Sequence, residues 1–144
     1  MGMNELAEHI FAVAKDHNLG VTNLQLQKVM YFCIRDYLKE HPDFENDSFI
    51  NNLYDDRFET WDYGPVVPSI YRKYSGYSSM PIPNKGINDP ELECFDESIV
   101  KYLWKKVFDL VKISHQQPLW RENREKILNH TETFRYKLND IAAS

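Results

Sequence analysis

Residues 22–40 read TNLQLQKVMYFCIRDYLKE. Leu26, Val29, Met30, Cys33, Ile34, Tyr37 and Leu38 recur at helical spacing and make one wide apolar stripe. Gln25, Lys28, Arg35 and Lys39 fall on the opposite side. Thr22 with Gln25 is a capping-box pair, and Val21 stands where a hydrophobic staple would pack back. His41 and Pro42 end the pattern. A stripe this wide predicts a central helix rather than a peripheral one, and so a mainly α fold.

The flanking chain agrees. Residues 4–18 place Leu6, Ile10, Val13 and Ala14 at helical spacing, with Asn4 as the cap and Gly20 closing the end. Residues 43–56 allow one short helix. Residues 96–113 read as a single helix capped by Asp96, with Val100, Leu103, Trp104, Val107, Leu110 and Val111 along one side. Short helices are expected within 119–130 and 131–143. The predicted core is Leu26, Val29, Met30, Cys33, Tyr37, Val100, Leu103, Trp104 and Val107. The expectation is a helical bundle of about five to seven helices with very small β elements near 57–63 and 80–83. Residues 75–95 carry Gly76, Pro81, Pro83, Gly86 and Pro90 and read as a loop of about 20 residues, long for a compact domain.

At 144 residues, the chain suits one domain over 1–144, large enough for a core without staples. It is 42% hydrophobic and 14% aromatic, too rich in rings for a disordered chain. Lys+Arg of 17 against Asp+Glu of 22 gives a net charge of -5. That argues against a generic nucleic-acid binder and fits a basic protein partner better. Cys33 and Cys94 read as free thiols in a reducing compartment. No apolar run approaches the roughly 18 residues of a membrane span. The start shows no signal-peptide pattern, so a cytoplasmic protein is expected.

Catalytic constellations are hard to find. His9, His17, His41, His115 and His130 form no spaced ligand pair, so no metal and no cofactor is predicted. Cys94 lies near a predicted helix start, where a thiolate is stabilised, but no base accompanies it. The acidic pair Asp55 and Asp56 would do acid–base work only if buried together. The two helices joined by LGVT match a helix-turn-helix by length alone.

One corner stands out. Residues 60–74 read TWDYGPVVPSIYRKY. Gly64-Pro65 breaks the chain, and Pro68 suits the first turn of a following helix. The plainer reading makes Trp61 and Tyr71 core and Gly64-Pro65 a turn. The functional reading makes Trp61, Asp62, Tyr63, Gly64, Pro65, Val66, Tyr71 and Tyr74 a partner-binding surface, because rigid rings are efficient anchors.

Two blocks carry a resemblance. Thr22, Asn23, Leu24, Leu26, Gln27 and Lys28 match a TNLxLQK start. Trp61, Tyr63, Gly64, Pro65, Val66, Pro68 and Tyr71 match a WxYGPVxPxxY block. Their order and separation resemble the Panacea domain family, also described as SocA-like antitoxins and phage-associated proteins. A later element of His, Pro and Trp is looser here: His115, Gln116, Gln117, Pro118 and Trp120, with Leu119 inserted. The resemblance spans about residues 4–125. It implies a non-enzymatic helical domain that binds and neutralises a cognate toxin, by masking it or by delivering it to an ATP-dependent protease. A homo-oligomer is left open. The alternative is a DNA-binding regulator of a prophage or mobile-element operon. A cryptic enzyme using Cys94, His115 and the acidic pair is a third reading.

Overall fold

In the computed structural model, which describes residues 1–143, the capped apolar stripe of residues 22–40 becomes the axis of the molecule. Helix α1 is Met3–Asp16 and α2 is Asn23–Glu40. Then come α3 (Ser48–Leu53), strands β1 (Glu59–Trp61) and β2 (Gly64–Val66), and α4 (Pro68–Tyr74). The C-terminal part holds α5 (Asp96–Leu103), α6 (Val107–His115), α7 (Pro118–Arg121), α8 (Arg124–Leu128) and α9 (Leu138–Ala142). The described residues thus form nine α-helices, more than expected because several are short, and one two-stranded antiparallel sheet. No helix among them is long and apolar enough to cross a membrane.

The capping box on α2 is present. The Thr22 hydroxyl accepts from the Gln25 N–H, and the Gln25 side chain accepts from the Thr22 N–H. Every residue from 26 to 34 is buried, because α2 is packed by α1, α4, α5, α6, α9 and β2. Enclosed in this way over residues 26–34, α2 is a core helix rather than an exposed recognition helix, and the LGVT connection is an irregular link in which Val21 is buried and Gly20 exposed. The polar side predicted for α2 is also partly interior: Lys28 is fully buried.

Helix α1 ends differently from expectation. Its last turn is closed by Asn18 in the left-handed region (φ 56), not by Gly20, and its first N–H donates to Asp55 rather than being capped by Asn4. The acidic pair is structural: Asp55 takes the Met3 N–H and Asp56 accepts from the Ser69 hydroxyl.

The 75–95 segment is a strap rather than a free loop. Ile82 N–H bonds the Val21 carbonyl, and Ile87 N–H bonds the Glu8 carbonyl. A Cβ on Gly86 would overlap the α1 backbone, so only glycine lets the strap lie this close. No strand forms at 80–83. Its end is a 3-10 turn, Pro90–Phe95, which runs straight into α5. Asp96 is therefore already helical, and its carboxylate accepts from His9 Nε2 at 2.6 Å. His9 Nδ1 in turn accepts from the Asp89 N–H at 3.0 Å, which fixes the tautomer and ties the strap to α1.

The predicted helix over 96–113 breaks in two. Residues 104–106 leave the helix, and Lys106 is extended (ψ 130). The break shifts the stripe. Leu103 is buried, Val100 packs half-buried on the core, and Val107 is half-buried outside it. Trp104, expected in the core, is 70% exposed at the end of α5. Leu26, Val29, Met30 and Cys33 are buried as expected, and Tyr37 is partly so. The tryptophan that fills the interior is Trp120. Trp104→Ala should change unfolding free energy by no more than about 0.5 kcal/mol, whereas Trp120→Ala should cost about 3–5 kcal/mol. Urea denaturation of the two variants checks this, and equal losses would contradict the packing described.

Candidate partner-binding cleft

Strands β1 and β2 form a hairpin with register Glu59↔Val66, Thr60↔Pro65 and Trp61↔Gly64, leaving Asp62 and Tyr63 as its two-residue tip. So small a sheet is marginal alone. Its two open edges are covered instead. On the β1 side, the segment around Phe134 to Tyr136 runs alongside: Thr60 N–H donates to the Phe134 carbonyl, and Tyr136 N–H to the Phe58 carbonyl, each at 2.9 Å. On the β2 side, polar side chains of α2 replace a strand. Lys28 Nζ donates to the Pro65 carbonyl at 2.8 Å, and the Val67 N–H donates to Gln27 Oε1 at 2.9 Å. Asn23 continues the series by donating to the Tyr71 carbonyl, and its own Oδ1 accepts from Gln27.

The third motif grips the hairpin tip. His115 donates through Nε2 to the Asp62 carbonyl at 3.0 Å, and Trp120 Nε1 donates to the Trp61 carbonyl at 2.9 Å. The two rings stack at 3.7 Å between centroids. Burial holds the His115 imidazole below its ordinary pKa, while the bond to Asp62 works the other way. Gln117 caps α7 by accepting from the Trp120 N–H, which sets the tryptophan.

Above this fixed backbone lies a cleft of about 710 Å³. Trp61, Tyr63, Val66, Tyr71, Leu24, Val107, Phe108 and Ile127 supply its apolar lining, and Asp62, His130, Ser78, Ser79, Thr22, Asn23, Thr60 and Thr133 its polar groups. Trp61 meets Tyr71 edge-on at 5.1 Å, and Tyr63 meets Phe108 edge-on at 6.1 Å. Tyr63 and Phe108 are each 58% exposed. His130 Nε2 sits 3.0 and 3.1 Å from the Asp62 carboxylate oxygens.

Of the residues expected at a partner surface, Trp61, Asp62, Tyr63, Val66 and Tyr71 come together here. Gly64 and Pro65 lie buried beneath the lining, because they carry the backbone that α2 holds. Tyr74 departs from expectation: it is buried against Phe11 at 5.4 Å, with its hydroxyl near Glu8 and Asn84. Phe108, Ile127 and His130 were missed. Phe108 lies off the apolar side read for 96–113, and its place in the cleft follows from its edge-on contact with Tyr63.

A family model described as antitoxin SocA-like, Panacea domain matches residues 26–121, from Leu26 within α2 through the hairpin to Arg121 at the end of α7. The chain belongs to this Panacea domain family. No curated protein and no solved structure matches it. In this Panacea domain the matched blocks converge on one hairpin. Thr22, Asn23 and Leu24 precede the matched span yet share its cleft.

The enzymatic cues separate in the Panacea domain. Burial pushes the Cys94 thiol up, the opposite of an activated nucleophile. His115 is committed to Asp62, and Asp55 and Asp56 serve α1 and Ser69. Among the described residues no group of three or more His, Cys, Asp or Glu is placed to hold a metal ion.

Proposed function

We propose that this Panacea domain is a non-enzymatic, cytoplasmic antitoxin that binds a cognate toxin through the cleft and the Tyr63–Phe108 rim, covering the toxin's active surface. The observation that carries the reading is the pairing of solvent-facing rings with a backbone pinned from beneath. Exposed aromatic area is costly to leave bare, and a fixed platform spends little entropy on docking. Masking is the mode proposed and delivery to an ATP-dependent protease the alternative, since one concave ring-lined surface would serve either.

The test is co-expression with each toxic open reading frame encoded beside it, followed by co-purification. Tyr63→Ala with Phe108→Ala should weaken toxin binding at least about tenfold while leaving the melting curve in place, as both side chains point outward. Undiminished binding by the folded double variant would remove the proposed surface. Rescue that requires an intact ATP-dependent protease would replace masking by delivery.

A further inference from the structure

The net charge of -5 misdescribes the surface around the cleft. Three of the acidic groups there are already satisfied: Glu59 by Arg135 at 3.8 Å, Glu132 by Lys126 at 3.6 Å, and Asp62 by His130. Two more, Asp109 and Glu125, stand in the first turns of α6 and α8, where the helix dipole favours a negative charge. The cations are less occupied. Lys105 and Lys106 immediately precede the lining residues Val107 and Phe108, and Arg72 and Lys73 immediately follow Tyr71. All four are exposed, and among the described residues none has a carboxylate within ion-pair distance, although Lys73 Nζ lies over the ring of Tyr74, on the α1 side and not on the cleft. Trp104, the exposed ring that the helix break expels, stands directly before the two lysines.

We infer that the cleft takes an acidic segment of a protein partner, one that seats a large apolar side chain among the rings and sets carboxylates against Lys105, Lys106 and Arg72. This rests on the toxin-docking proposal and gives its partner a chemistry. The apolar lining supplies the anchor pocket, and the cations without carboxylates supply the sign. A nucleic acid fits less well. The Asp62 carboxylate lies within the cleft and the net charge is -5, so a phosphate at every nucleotide would meet more repulsion than one or two carboxylates set at the rim cations.

The full-length chain is titrated with three fluorescein-labelled peptides that share a central Trp and differ only in flanks of Glu, Ser or Lys. Fluorescence anisotropy reads the affinity. The Glu-flanked peptide should bind at least about tenfold tighter than the Lys-flanked one at low salt, with the gap closing as salt rises. The variant K105E/K106E should lose or invert that preference, while K39E, at the far end of α2, should keep it. Equal binding of Glu and Lys flanks overturns the inference, as does no binding by any of the three. Displacement of the Glu-flanked peptide by a single-stranded oligonucleotide at lower concentration overturns it in favour of nucleic acid. In the toxin assay the two readings separate. If Tyr63→Ala with Phe108→Ala abolishes binding and K105E/K106E leaves it unchanged, the docking surface stands and the acidic partner falls. If neither variant matters, the docking reading itself falls.

Discussion

Gly64→Ala is expected to destabilise the protein by about 3 kcal/mol, lowering its melting temperature by roughly 10 °C. Two causes add. Gly64 has φ +100, a conformation that an L side chain rarely adopts, and it opens β2 directly after the two-residue tip. A Cβ there would also fall on the Ser114 hydroxyl and lie 3.2 Å from Lys28 Cε. Ser114 cannot swing away cheaply, because it is buried and donates to the Val111 carbonyl. Gly76→Ala is the matched control: nothing lies within 4 Å of the methyl it would add, so the change should be near neutral. Urea unfolding of both variants decides the matter. A loss at Gly64 below about 1 kcal/mol would mean that the hairpin is not held as tightly as described.

The second large effect is a pH dependence. Lys28 is fully buried, and burial pulls its pKa down from 10.5 to about 7. Its Nζ reaches the Pro65 carbonyl, with no carboxylate to steady a charge. In the unfolded chain the same amine keeps its proton up to 10.5. Between these values the unfolded state binds more protons, so stability should rise with pH across that window. Below it both states are protonated, and the contribution stays flat at its least favourable level. Lys28→Met has no proton to lose, so it should lack this rise, which amounts to on the order of 5 kcal/mol over the full window. Tyrosines oppose it at the alkaline end. Burial, then Asp36, pushes Tyr102 up to about 12, so the unfolded state loses tyrosine protons first and stability falls above about pH 10. Urea midpoints for both proteins between about pH 7 and about pH 9.5 isolate the lysine. Parallel curves would mean that Lys28 keeps its charge in the fold.

The elements that sequence made legible are those whose signals are local. Thr22 and Gln25 announced α2, and Pro68 announced α4, because caps and first-turn prolines act within a few residues. The corner at 60–74 was visible through Gly64 and its rings. What escaped was decided at long range. Nothing near Trp104 signals a stop: no Gly or Pro stands between Leu103 and Val107, so the stripe ran on across a break imposed by packing. The burial of Lys28 could not be read either, since its partner is a carbonyl 37 positions away. The strap over α1 depends on Gly86 meeting Glu8 and Ala12, and Tyr74 follows it inward. Phe134 to Tyr136 gained extended pairing only because β1 was there to receive it.

The anchors beneath the hairpin share a property with a wider consequence. Lys28, Gln27, Asn23, His115 and Trp120 all grip main-chain atoms, at Pro65, Val67, Tyr71, Asp62 and Trp61. Such atoms are the same whatever residue carries them. The outward groups at Tyr63, Tyr71 and Phe108 are therefore free to be exchanged without disturbing the mount. A lineage could drift from one target to another by a few substitutions, and a laboratory could retarget the scaffold by randomising those three positions alone.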